Sequence, residues 1–276
     1  MSIINIKNKN LLRNKNEQHP FHLVNPSPWP LYTAFSLLAL ALSFLLYFNF
    51  YKNSELYVLS SFIIFVFFLS RWFSDIIVES TYEGHHTQKV QIGLRFGMIL
   101  FIVSEIMFFA SFFWAFLHCS LSPSIDIGNI WPPKYICTLD PWSLPLVNTI
   151  ILLSSGVTIT WAHKAILDNK RNDVIFGIIS TIAYGLLFSL IQYYEYVEAP
   201  FNINDGIYGS LFFLLTGFHG FHVFVGSIFL IICLFRQINY HFNSNQHIGF
   251  ECAIYYWHFV DVVWLFLFIL VYIWGA

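Results

Sequence analysis

The chain alternates between long apolar runs and short polar stretches rich in Pro, Gly, Asn and Asp. An α-helix needs about 20 apolar residues to cross roughly 30 Å of hydrocarbon, and seven runs approach or exceed that length. Turn-forming stretches such as SPSIDIGNIWPPK and EAPFNINDG separate them. The pattern therefore predicts seven transmembrane helices, at about 31–50, 56–78, 90–118, 142–163, 174–194, 207–235 and 249–274.

Composition restricts the chain to one class of protein. Hydrophobic residues make up 57% of the 276 residues, charged residues make up 10%, and the mean hydropathy is +0.65. These values exclude an ordinary soluble domain and indicate an all-α, polytopic membrane bundle. The sequence shows no internal repeat, and nothing in it points to a nucleic-acid partner.

A polar leader, residues 1–29, precedes the first apolar run. It is rich in Lys and Asn, and it lacks the apolar core and small-residue cleavage site of a secretory signal. The prolines of HLVNPSPWPL delay helix formation until about Pro30, a residue suited to a first helical turn. We expect a retained, partly disordered leader followed by a transmembrane domain over 30–276.

The charges predict the orientation of the bundle. Of the 13 Lys and Arg residues, all except Lys52 and Lys134 fall on the side that holds the N-terminus. Basic residues accumulate on the side from which insertion occurs, so we predict an inner N-terminus and, with seven spans, an outer C-terminus. The opposite side carries acidic residues: Glu55, Asp126, Asp140, Glu195, Glu198 and Asp205.

One acidic residue, Glu105, lies in the middle of the third apolar run. Its neighbours one helical turn away are all apolar: Phe101, Ile102, Phe108 and Phe109. A charged group at the bilayer centre costs at least about 2.5–3.5 kcal/mol, so an acid there is a candidate functional residue. The alternative is a neutral, hydrogen-bonded Glu that only ties helices together.

Two histidines of the sixth run, His219 and His222, lie at a depth comparable to that of Glu105. The depths follow from counting inward from Arg95 in the third run and from Arg236 in the sixth. We therefore predict that Glu105 either meets one of these histidines or faces lipid and water.

The 11 histidines raise the question of a metal site. His219 and His222 are three residues apart and share a helix face, so they could ligate a metal. His85 and His86 are adjacent in a loop, so their side chains are expected to point apart. His241 and His247 lie near the start of the last run. The clustered histidine boxes of membrane di-iron enzymes are absent, and histidine also serves as a hydrogen-bonding group between membrane helices. We expect no metal or other cofactor in this chain.

Two further ionisable residues, His258 and Asp261, lie one turn apart near the middle of the seventh run. A lone Asp at that depth would be costly, so we predict a buried, hydrogen-bonded pair. The four cysteines show no CxxC spacing, and we interpret them as free thiols, with a disulfide between Cys119 and Cys137 as the alternative.

Small residues predict where helices approach closely. They include the GxxxG pair of the third run, a cluster in the fourth and three glycines in the sixth: Gly93, Gly97, Ser154, Ser155, Gly156, Gly217, Gly220 and Gly226.

Polar side chains at the inner ends of the runs form a candidate phospholipid site. They combine cations, histidine and an aromatic anchor at headgroup depth: Trp72, Glu79, His86, Lys89, Arg95 and Arg236. Such groups suit an anionic phospholipid, although any single one could merely extend its polar end to the interface.

Seven collinear motifs carry a resemblance to a known family. They are HLVNPSPWPL, ESTYEGHHT, GLRFGMILFIVSEIMFFASFFWAF, LLSSGVTITWAHKA, YYEYVEAPFNINDGIYGSLFF, TGFHGFHVFVGS and GFECAIYYWHFVDVVWLFLF. Together, from His22 to the C-terminus, they resemble subunit III of cytochrome c oxidase. The resemblance implies seven helices in two arms, 30–80 and 88–276, around a V-shaped lipid cleft.

The same resemblance implies an accessory function. In this family the chain is not itself a catalyst: haem and copper belong to subunits I and II of respiratory complex IV, and subunit III packs mainly against subunit I. It implies that the chain stabilises subunit I, supports proton uptake and binds phospholipid. Glu105 matches the intramembrane carboxylate of the family, and four residues match its phospholipid cleft: Glu79, His86, Arg95 and Arg236.

Two positions depart from the family pattern. The family often has Arg where this chain has Ser74 and Val78, so two headgroup contacts are missing. Arg71, one turn before Ser74, is the candidate substitute.

The composition indicates the compartment. Abundant Phe, Ile, Asn and Lys fit an AT-rich organelle genome, which favours the mitochondrial inner membrane, with the N-terminus in the matrix, over a bacterial plasma membrane.

The nearest rival function is that of a quinol oxidase subunit III, but that subunit commonly lacks the first two helices. A self-contained, His-rich membrane metalloenzyme and a proton-coupled carrier that uses Glu105 and Asp261 are rivals of other classes.

Overall fold

The computed structural model describes residues 19–275, and these residues form seven long α-helices and no β-strand. The helices are α1 (Trp29–Phe48), α2 (Ser54–Thr81), α3 (Gln88–Leu121), α4 (Leu144–Leu167), α5 (Arg171–Glu198), α6 (Gly206–Ile238) and α7 (Ile248–Leu267), and α7 continues as a π-helical turn over Phe268–Ile273. All seven are long and apolar enough to cross a membrane, which confirms the predicted all-α bundle. The expectation for leader residues 1–18 lies outside the described residues.

The longest helices extend beyond the predicted spans. α3 has 34 residues and α6 has 33, so each is about 50 Å long at 1.5 Å per residue. The hydrocarbon core is only about 30 Å thick, so their ends project from it or the helices tilt. The sequence prediction ended early because hydropathy reports the apolar part of a helix, whereas backbone hydrogen bonds continue into the polar interface.

The chain forms two compact units that divide between Gly93 and Leu94. The first unit contains α1 and α2, and the second contains α4 to α7 with all but the first turns of α3. The predicted arms and the V-shaped lipid cleft stay predictions.

Polar contacts join the two helices of the first unit. The Trp29 Nε1–H donates to Oδ2 of Asp75 at 2.6 Å, and the hydroxyl oxygens of Ser43 and Ser61 lie 2.8 Å apart. These contacts pair the start of α1 with the end of α2, so the helices are antiparallel. Hydrogen bonds of this kind stabilise helix pairs in lipid, where apolar contact alone gives no preference for another helix over a lipid tail.

The second unit is built around α7. About 61% of the most apolar 18-residue stretch of α7 is buried, compared with 6% of the corresponding stretch of α3. Two indole N–H groups of α7 donate to hydroxyls of α4: Trp257 to Ser155 at 2.8 Å and Trp264 to Thr149 at 2.9 Å. Both tryptophans are almost fully buried, so α7 is the packing centre of this unit.

The close helix contacts are not where the GxxxG prediction placed them. Apart from the adjoining residues and the backbone of the same helix, no atom of the described residues lies within 4 Å of a Cβ built on four of the predicted glycines: Gly93, Gly97, Gly217 and Gly220. The tight positions include Gly156 and Gly226, where the prediction is confirmed, and Gly185, which it missed. An added Cβ would lie 2.7 Å from Oδ2 of Asp261 at Gly156, and 3.0 Å and 2.6 Å from the ring of Trp257 at Gly226 and Gly185. The prediction was wrong for the four open glycines because spacing alone does not reveal which helix face meets a neighbour.

The cysteines agree with the sequence interpretation. All four are free, and the alternative disulfide between Cys119 and Cys137 is not formed. The expectation of free thiols is confirmed.

Candidate functional site

Glu105 of α3 meets His222 of α6 near the midpoint of both helices. The His222 Nε2 lies 2.9 Å from Oε2 of Glu105, and His222 Nδ1 lies 2.6 Å from the carbonyl oxygen of Phe218. A carbonyl can only accept, so Nδ1 carries a hydrogen and donates it. Of the two alternatives for Glu105, the structure therefore has the contact with a helix-six histidine.

This geometry leaves one hydrogen between Glu105 and His222. If the imidazole is neutral, its Nε2 presents a lone pair, and a protonated Glu105 must donate to it. If the imidazole is protonated at both nitrogens, Nε2 donates to a carboxylate. The pair therefore shares a single proton in either state.

Aromatic rings shield most of this pair. The ring of Phe109 lies 5.0 Å from that of His222, and the rings of Phe259 and Tyr256 lie about 6 Å away. The His222 side chain is 8% exposed, whereas that of Glu105 is 23% exposed. The low-dielectric surroundings strengthen the hydrogen bond, and the carboxyl still reaches the surface of the second unit.

His219 does not join this pair. It is fully buried between Phe188 and Trp264, with ring centroids 5.6 Å and 5.3 Å away. Neither ring nitrogen has a hydrogen-bond partner among residues 19–275. His219 and His222 therefore lie in different environments, and the structure does not present them as a pair of metal ligands.

His258 and Asp261 contact each other, but only one of them is buried. The His258 Nδ1 lies 3.5 Å from Oδ2 of Asp261, and its Nε2 lies 3.3 Å from the Thr160 hydroxyl. The Asp261 side chain is 9% exposed and that of His258 is 42% exposed, so the prediction of a buried pair was wrong for His258. An open groove between α4 and α7 reaches both side chains. Gly156 makes room for the carboxylate, since a Cβ there would lie 2.7 Å from Oδ2 of Asp261.

Sequence reasoning missed an ion pair that joins α3 to α7. Arg95 donates to both carboxylate oxygens of Glu251, from Nε at 2.6 Å and from Nη2 at 2.9 Å. His247 Nε2 lies 3.3 Å from Oε1 of the same carboxylate. Glu251 lies in the first turn of α7, in GFECAIYY, so its position at the start of an apolar run was the only available signal.

A second missed network is buried at the other end of this unit. Tyr272 donates to Oε1 of Glu195 at 2.6 Å, and Gln192 and Asn148 extend the chain of contacts at 3.5 Å and 3.3 Å. Glu195 is 1% exposed, although its position near the end of an apolar run indicated an interfacial charge. Its Oε2 has no hydrogen-bond partner within residues 19–275.

The predicted phospholipid residues divide between the units. Trp72, Glu79 and His86 lie in the first unit, where all three are half-buried. In the second unit Arg95 is paired with Glu251, and the Arg236 guanidinium lies 4.3 Å from the ring centroid of Phe242. The assignment of these residues to phospholipid stays a prediction.

One loop histidine near these cations is electrostatically perturbed. Burial and the positive charge of Arg236 lower the pKa of His241, which lies between α6 and α7. The imidazole therefore favours its neutral form at the end of α6.

Seven membrane-spanning helices with ionisable groups paired inside them define a polytopic integral membrane protein. The family model described as cytochrome c oxidase subunit III matches residues 19–276. Cytochrome c oxidase subunit 3 of Marchantia polymorpha is 54% identical over 260 residues, which cover 94% of this chain and 98% of that protein. The proteins of the same name from Prototheca wickerhamii and Pelomedusa subrufa are 52% and 53% identical, cover 94% and 95% of this chain, and are each covered to 99%. The chain therefore belongs to the family of cytochrome c oxidase subunit III, a subunit of the terminal oxidase.

Proposed function

We propose that this chain is an accessory subunit that stabilises subunit I, supports its proton uptake and binds phospholipid, while the haem and copper reside in subunits I and II. The observation that carries the proposal is the Glu105–His222 pair. It lies at mid-helix depth and shares one proton, and Glu105 is partly exposed. Such a pair can keep its proton on either partner without placing an unpaired charge in the membrane, because the neutral pair and the ion pair have the same net charge.

Phospholipid binding is supported by the exposed side of α3. The helix leaves large apolar side chains uncovered along its length, including Phe96, Leu100, Met107 and Trp114. In a membrane this surface is suited to acyl chains, and cations at the helix ends are suited to anionic headgroups. The remainder of the apolar surface of the second unit is suited to contact with subunit I and other subunits.

We further propose the mitochondrial inner membrane as the location, with the N-terminus in the matrix and the C-terminus in the intermembrane space. The charge asymmetry across the seven spans supports the orientation. The eukaryotic relatives support the compartment.

Replacing Glu105 with Gln tests the role of the shared proton. The amide N–H of Gln can still donate to Nε2 of a neutral His222, but the amide cannot release a proton. We expect a fully assembled oxidase with oxygen reduction largely intact, fewer turnovers before inactivation, and altered stability or lipid content. Oxygen consumption and the proton-to-electron ratio, measured on the purified complex in vesicles, provide the readout.

Glu105→Ala is the matched control, because it removes both the hydrogen bond and the proton. It leaves Nε2 of a buried imidazole unpaired, so we expect an added loss of stability of about 1 kcal/mol. Complete loss of turnover in an assembled Glu105→Gln complex would show that this carboxyl belongs to the main proton path. Identical turnover lifetimes for the Gln variant and the wild type would refute the supporting role.

A further inference from the structure

Three potential ligands meet at the end of the second unit that holds Arg95. They are His163 near the end of α4, His247 immediately before α7 and Glu251 in the first turn of α7. One ligand atom from each lies within 4.8 Å of the other two. We propose that these three side chains bind a divalent transition-metal ion, with Zn²⁺ as the best match.

The hydrogen bonding of His247 supports this site. Its Nδ1 lies 3.0 Å from the carbonyl oxygen of Asn243, so Nδ1 carries a hydrogen and donates it. In the neutral ring Nε2 then presents a lone pair toward Glu251, 3.3 Å from Oε1. Metal-binding imidazoles commonly have this arrangement, in which the second nitrogen donates to a carbonyl and orients the ring.

The Nε2 atom of His247 also lacks a partner. It has no properly aligned hydrogen bond within residues 19–275, and the side chain is only 5% exposed. A buried lone pair that faces a carboxylate oxygen is unfavourable unless a cation or a proton lies between them. This unsatisfied atom is the observation that distinguishes the cluster from an ordinary hydrogen-bonded network.

The donor set and spacing suit zinc. Two imidazole nitrogens and one carboxylate oxygen form a three-ligand set that Zn²⁺ adopts, with a fourth position for water. Tetrahedral ligands at about 2.0–2.1 Å from zinc lie roughly 3.3 Å from one another, which is the separation of His247 Nε2 and Glu251 Oε1. A ring nitrogen of the half-buried His163 lies within 4.8 Å of one ligand atom of each of the other two residues, and it has to move closer to reach a ligand position.

Arg95 does not block the carboxylate. It uses one lone pair on each oxygen of Glu251, and a carboxylate offers about four such positions. The guanidinium instead fixes the orientation of Glu251, as an outer hydrogen-bond partner does for a metal ligand. A bound ion would therefore connect α4 to α7 and, through Arg95, to α3.

Zinc stoichiometry of the purified oxidase tests the site. The intact complex is stripped with chelator, dialysed against Zn²⁺, and its metal content is measured for the wild type and for His163→Phe. Phe keeps the ring shape and removes the ligand nitrogens. We expect the His163→Phe variant to bind one equivalent of zinc less than the wild type. The control is His118→Phe, which changes an exposed histidine at the other end of α3 and should bind the wild-type amount of zinc.

X-ray absorption provides a second readout. Subtracting the spectrum of the His163→Phe variant from that of the wild type isolates the zinc that the variant does not bind. We expect this difference spectrum to show zinc with two imidazole nitrogen ligands and with oxygen ligands. Unchanged haem absorption and subunit content in the variant establish that it is folded. Equal zinc content in the His163→Phe variant and the wild type, or a lost spectrum without imidazole scattering, would overturn the proposal.

Discussion

Replacing Trp257 with Ala should destabilise the second unit by about 3–5 kcal/mol. Trp257 is fully buried in α7, and the backbones of Gly185 and Gly226 lie directly against its ring. Because these glycines have no side chains that could move inward, the cavity would remain largely open. The Ser155 hydroxyl would also lose the indole N–H that donates to it. The free energy of unfolding in mixed detergent micelles is the measurement.

Two further variants separate these contributions. Trp257→Phe keeps most of the ring volume and removes the N–H, so it should cost about 1–2 kcal/mol. Trp142→Ala removes a tryptophan that is 68% exposed before α4 and should change stability by less than about 0.5 kcal/mol. If Trp257→Ala were no more destabilising than Trp142→Ala, the placement of α7 at the packing centre would be incorrect.

Replacing Arg95 with Ala should be the next most damaging change. It would leave the Glu251 carboxylate, whose side chain is 11% exposed, without its bidentate partner. Breaking a fully buried pair costs about 3–5 kcal/mol. The Arg95 side chain is 37% exposed, so solvent screening reduces the expected loss to about 2–3 kcal/mol. Unfolding in the same micelles measures it.

A double-mutant cycle isolates the pair. In Arg95→Ala with Glu251→Gln, no unpaired carboxylate remains, so the double variant should recover part of the stability that Arg95→Ala loses. Lys89→Ala, at an exposed position at the start of α3, is the matched control for loss of a cation and should have little effect. Strictly additive losses in the cycle would contradict the ion pair.

The sequence predicted the number and class of the helices because run length and hydropathy directly reflect the thickness of a bilayer. It also placed Glu105 and His222 at the same depth, since depth follows from counting along each helix. It could not choose between His222 and lipid as the partner of Glu105. α3 is apolar all round its circumference, so no polar stripe indicates which face meets α6.

The missed features have the same origin. Glu195 and Glu251 lie near helix ends, where hydropathy does not distinguish an interfacial charge from a buried one. Their partners, Tyr272 for Glu195 and Arg95 for Glu251, are distant in sequence, so only the structure reveals these contacts. Gly185 was overlooked and Gly97 was overvalued because the space beside a glycine depends on the neighbouring helix. His258 resembled a buried partner by spacing, yet its side chain opens to the groove beside α4.

The chain is a subunit of the terminal oxidase, and the central proposal is that neighbouring subunits supply its redox chemistry. Affinity purification through a tag on this chain, from membranes solubilised in mild detergent, tests the claim most directly. We predict co-purification of a haem- and copper-bearing subunit with cytochrome c oxidation activity in the recovered complex. Recovery of the chain without a haem-bearing partner, or with haem held by this polypeptide itself, would contradict the account.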